Sequence, residues 1–142
     1  AGRRILFAGE AAGCWFRCDD GSCFMRPATP HKFFYDRAVA SLNRLRALED
    51  IDVVCFPHSG YLEDASEVFD RAAEQMKLWL AVLSALPAGT SPEDAVLALL
   101  ANDPVLANLE KMPEAVRKRE EFFIGQSVKG YLGWIERERN GV

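Results

Sequence analysis

The sequence predicts an α/β fold, with a small sheet joined to a predominantly helical remainder. Three observations carry that expectation. Ile5-Leu6-Phe7-Ala8 is a short apolar run of the kind that forms a buried strand, and it stops at Gly9-Glu10-Ala11-Ala12-Gly13. Ile51-Asp52-Val53-Val54-Cys55-Phe56 is a second strand-like run, ending at Pro57-His58-Ser59-Gly60. Between them Tyr35 to Leu48 has a helical pattern, and most of the chain after Gly60 is helical in spacing. Strand–helix–strand places both strand ends on the same edge of a sheet. Glu10 and His58 are therefore expected to be spatial neighbours although they lie far apart in sequence.

Taken in order, the stretch after Gly13 is expected as a long loop, because Asp19-Asp20-Gly21-Ser22, Pro27 and Pro30 are turn and breaker residues. Trp15, Phe16, Phe24 and Met25 are too apolar for a solvent linker. They either line a functional mouth or plug the edge of the core. The helix from about Phe33 to Leu48 sets Ala38, Leu42, Leu45 and Leu48 on one stripe, with Arg37, Arg44 and Arg46 elsewhere around it. After His58 a long helix is expected to begin near Tyr61 to Asp64, with a core stripe through Leu62, Ala65, Phe69, Ala72, Met76, Trp79 or Leu80, and Leu83. Ser91 followed by Pro92 is a cap and first-turn proline, and Asp103-Pro104 repeats the signal. Pro113-Glu114 opens the last helix. Gly125, Gly130 and Gly133 inside it point to a kink or a close helix contact.

With 142 residues, the chain suits one domain, in which 1–60 holds the strand–helix–strand part and 61–142 the helical tail. The net charge of -4 argues against nucleic acid as the main partner. Arg117-Lys118-Arg119 is followed at once by Glu120-Glu121 and is expected as a solvated helix face. No apolar stretch approaches the roughly twenty residues of a membrane span. The first residues lack the apolar region of a secretory signal, which says little for a chain that looks truncated, and the cytoplasm is kept as the default location.

Of the four cysteines, Cys14, Cys18 and Cys23 cluster and Cys55 sits on the second strand. Their spacings match neither the usual zinc pairs nor common iron–sulfur runs. Free thiols are the leading reading, ahead of a soft-metal or redox site and of a disulfide.

Leu6 to Gly13, then Ser41-Leu42-Asn43-Arg44-Leu45, then Phe56-Pro57-His58-Ser59-Gly60 together resemble the C-terminal half of a metallo-β-lactamase-fold hydrolase. The likeness covers roughly the first sixty residues, and the helical tail is only loosely similar. It implies the C-terminal half of an αββα sandwich, with Glu10 at the position of a carboxylate bridging two metals and His58 at the last histidine ligand. It also implies zinc, iron or manganese in the complete protein, acting on a small-molecule substrate of unspecified class.

 The implied centre is thus dinuclear in the complete protein, with weak metal binding or none in this chain alone.

Two features depart from that family's pattern. Its first ligand cluster, His-x-His-x-Asp-His, is absent, and the chain has only two histidines, His31 and His58. The resemblance therefore implies that an N-terminal half is missing, that the chain by itself is inactive, and that it self-associates or pairs with that half. Glutamate also stands at residue 10 where aspartate is usual, so either the backbone compensates or one metal is held instead of two. His31 is expected as an exposed loop histidine. The alternatives are a non-enzymatic helical interaction module and, behind it, a thiol or iron–sulfur protein using Cys14, Cys18 and Cys23.

Overall fold

The computed structural model describes residues 2–141, and Ala1 and Val142 lie outside the described residues. In chain order the elements are β1 (Ile5–Phe7), β2 (Cys14–Arg17), β3 (Cys23–Arg26), α1 (Tyr35–Arg46), β4 (Val53–Phe56) and β5 (Gly60–Glu63). They are followed by α2 (Ala65–Ser84), α3 (Pro92–Asn102), α4 (Pro104–Ala107), a 3-10 turn at Asn108–Lys111, and α5 (Glu114–Asn140). The class is mixed α/β, as the apolar runs and helical spacings lead one to expect.

The two apolar runs form the parallel pair β1–β4, in the register Ile5↔Val53, Leu6↔Val54 and Phe7↔Cys55. Strand β5 returns antiparallel on the far side of β4, with Phe56↔Gly60 closing the hairpin around His58. Residues 60–63 thus extend the sheet instead of opening the long helix. That helix starts at Ala65, where the Asp64 carboxylate accepts from the Glu67 N–H at 3.1 Å.

The expected long loop after Gly13 is also corrected. Residues 14–26 form a second small sheet, the antiparallel hairpin β2–β3, with the Asp19–Ser22 segment as its turn. Its apolar side chains divide between two settings. Trp15, Phe24 and Met25 are buried in the core, whereas Phe16 is half-buried on the wall of a cleft.

The core lies where α2 and α5 meet α3 and the hairpin. Trp79 and Tyr131 are fully buried with ring centroids 5.7 Å apart, and Phe33 lies 4.7 Å from Tyr131. Met76 and Trp79 face this core, as the helical stripe predicts. Ser91 caps α3, and the Asp103 carboxylate caps α4 by accepting from Val105 and Leu106 N–H. The other Asp103 oxygen accepts from Gln75 at 2.9 Å and Trp79 at 2.8 Å, so one buried carboxylate ties three helices together.

Helix α5 runs unbroken through its glycines. The close contact at Gly130 is made with the segment before α1, not with another helix. A β-carbon there would meet Thr29 Oγ1 at 2.7 Å and the Pro30 carbonyl at 3.0 Å.

Candidate metal centre and its cleft

Because β1 and β4 are parallel, the chain leaves both at the same end of the sheet. The turn after β1 is tied by Ala11 N–H to Ala8 O (3.2 Å) and Gly13 N–H to Glu10 O (2.9 Å). Gly13 adopts φ +81°, and a β-carbon there would come within 2.5 Å of the Arg26 carbonyl, so only glycine lets this turn lie against β3. The turn after β4 carries His58. The two side chains meet across the gap, with Glu10 Oε1 3.5 Å from His58 Nε2 and each a little over half exposed (56% and 58%). The sequence expectation that strand topology makes them neighbours agrees with this placement.

Donors at about 2.0–2.2 Å from a tetrahedral zinc stand about 3.3–3.5 Å from one another. The Glu10–His58 separation thus fits two donors to a single ion. Among the described residues, no group of three or more His, Cys, Asp or Glu side chains is placed to hold a metal. The pair is a partial donor set, since catalytic zinc usually takes three protein ligands. His31 is exposed on the approach to α1.

Glu10 and His58 open onto a cavity of about 400 Å³ walled by Cys14, Phe16, Arg119 and Gln126. Its floor holds a charged pair that sequence reasoning missed. Arg26 Nε donates to Glu120 Oε2 at 2.6 Å with both side chains buried, and Arg119 Nε donates to Glu120 Oε1 at 3.1 Å. Glu120 is therefore not on a solvated helix face, as its charged neighbourhood suggests, but is 1% exposed. No local signal marks it, because its partner lies on β3. Arg26, between Met25 and Pro27, is the better clue: an arginine in an apolar stretch needs a buried acceptor.

All four cysteines are free. Cys14 lines the cleft, but burial pushes its thiol pKa up and keeps it protonated, which disfavours the thiolate that metal ligation or nucleophilic attack requires. Cys18 is turned away, toward the Asn108 carbonyl at 3.7 Å.

A second lobe of about 250 Å³ adjoins the first, with Glu10, Arg26 and Thr29 lining both. Lys32, Phe34 and Arg37 lie on its wall. Among the described residues no helix is long and apolar enough to cross a membrane. No protein-family model matches the chain, and no curated protein matches it.

Proposed function

We propose that the chain is the C-terminal portion of a metal-dependent hydrolase of the metallo-β-lactamase fold, in which Glu10 and His58 are metal donors. The observation that carries this reading is the 3.5 Å approach of Glu10 to His58 at the common end of two parallel strands. Zinc, iron or manganese bound there would supply a hydroxide nucleophile near neutral pH by acidifying a coordinated water. The protein's own part is to hold the donors. The Gly9–Gly13 turn presents the carboxylate, the tight β4–β5 hairpin presents the imidazole, and the Arg26–Glu120 pair fixes the wall of the cleft behind them.

Two donors bind a metal weakly, so the remaining ligands are assigned to an N-terminal half and this chain alone is assigned no turnover. The outward row of the sheet supports such a partner. Ile5 and Phe7 are exposed (52% and 80%), and Tyr61 is 60% exposed on the strand two places away. The substrate is a small molecule, and the proposed location is the cytoplasm.

Joining the upstream part of the gene to this chain provides the test. The restored protein should hold metal tightly, and His58→Ala should remove metal and hydrolysis together. Glu10→Asp should change metal content or rate by at least about tenfold. Unchanged metal content and turnover after both substitutions would remove these residues from the site.

A further inference from the structure

Three cations crowd one aromatic ring beside the second lobe of the cleft. Lys32 Nζ lies 5.9 Å, Arg37 Cζ 4.7 Å and Arg137 Cζ 5.2 Å from the centre of Phe34. Among the described residues none of the three makes an ion pair; Arg17, Arg44, Arg139, Lys77 and Lys129 make none either, but no other ring gathers three cations. Asp36 spends its carboxylate on the Arg37 backbone N–H at 2.9 Å, not on the guanidinium. Arg137 is tied to the Phe33 carbonyl, and its Nε is buried with no hydrogen-bond partner. The ring face offsets part of the mutual repulsion. A bound anion would offset the rest.

Lys32 and Arg37 line the 250 Å³ lobe, and Glu10 lines the same lobe. The remaining wall is largely apolar, with Pro30, Phe33, Ala72 and Met76. A lobe of this size holds one compact charged group, not a polymer. Guanidinium and ammonium groups without carboxylate partners select oxyanions, carboxylate or phosphate.

We infer that this lobe binds the oxyanion of a small anionic substrate, with Lys32 and Arg37 as its direct contacts and Arg137 reinforcing the field behind Phe34. Glu10 repels the same charge, so the anion is held away from the carboxylate and the uncharged reacting group extends toward Glu10 and His58. As a statement about substrate, this rests on the hydrolase reading. The anion site itself needs no metal.

The test is therefore run on the 142-residue chain without metal. Inorganic phosphate and acetate are titrated separately while NMR follows the Lys32 and Arg37 side chains. One of the two anions should give saturable shifts at both residues, and the tighter one identifies the oxyanion. Lys32→Gln with Arg37→Gln should weaken binding by about tenfold per cation. The charge-keeping pair Lys32→Arg with Arg37→Lys should retain it, which separates lost charge from lost fold. Glu10→Gln should leave anion binding equal or tighter, although the hydrolase reading requires it to lose metal in the restored protein. No saturable binding up to about 20 mM, equal binding by the Gln pair, or shifts confined to Arg117–Arg119 would overturn the site. A restored protein that fails to bind zinc, while the 142-residue chain still binds the anion, would overturn only the hydrolase reading.

Discussion

At Gly130 the absence of one carbon decides how the segment before α1 sits on α5. An added β-carbon meets Thr29 Oγ1, which is itself held by a hydrogen bond to the Ser127 carbonyl at 3.0 Å, and so has little freedom to move. Gly130→Ala should destabilise the fold by about 1–3 kcal/mol in urea denaturation. Gly125→Ala makes the opposite case. It lies in the same helix with nothing within 4 Å of its β-carbon, so it should be neutral or stabilising by up to about 1 kcal/mol. Residue-scale legibility was divided along similar lines. Glu10 and His58 could be singled out because each follows directly on an apolar strand. Glu120 could not, because a charged residue in a charged neighbourhood has no sequence mark that separates solvated from paired.

Among the elements, α2 and the β2–β3 hairpin depend most on single contacts. The Asp64 carboxyl lies below the usual carboxylate range because the Glu67 N–H and then the Ser66 hydroxyl donate to it. Its stabilising effect is complete above the unfolded value, about 3.9, and is lost as pH falls through the lower folded value. Asp64→Asn keeps an acceptor and tolerates the φ of +71° at this position. The variant should melt below the wild type at pH 6, and the gap should close as pH is lowered toward 2.5. The hairpin hangs on the buried Arg26–Glu120 pair. Glu120→Ala leaves a buried guanidinium without that acceptor and should cost about 3–5 kcal/mol, measured by chemical denaturation. The hairpin itself escaped the sequence because β3 is buried from Phe24 to Arg26, which removes the alternation that marks a one-sided strand. Strand β5 escaped for the converse reason, since of Gly60–Glu63 only Leu62 is not exposed.

For the molecule as a whole, the sheet leaves an apolar row uncovered on its outer side. Phe7, Cys55 and Tyr61 are register partners across β1, β4 and β5, and Phe7 is 80% exposed. Such a row on a three-stranded sheet with free edges favours association. Sedimentation of this chain should show concentration-dependent self-association, and Phe7→Lys with Tyr61→Lys should reduce it. A wild-type chain that stays monomeric at about 1 mM would count against a covered face. At this scale the parallel pairing was legible because strand–helix–strand connections admit few arrangements. The docking of α5 was not, because its partners lie near the other end of the chain.

That docking has a consequence for how the protein is made. Between Glu120 and Arg137, α5 bonds Arg26, Pro27, Thr29 and Phe33, contacts that span 94, 100, 98 and 104 positions. A ribosome adding about 5–20 residues per second exposes the hairpin and the Lys32 segment on the order of ten seconds before their hydrogen-bond partners exist. During that interval Phe33 lacks Tyr131, the α5 ring it packs against at 4.7 Å. The nascent chain must be shielded or stay loosely collapsed until α5 emerges, and synthesis stalled or ended before α5 should leave an aggregation-prone product in place of a smaller folded one.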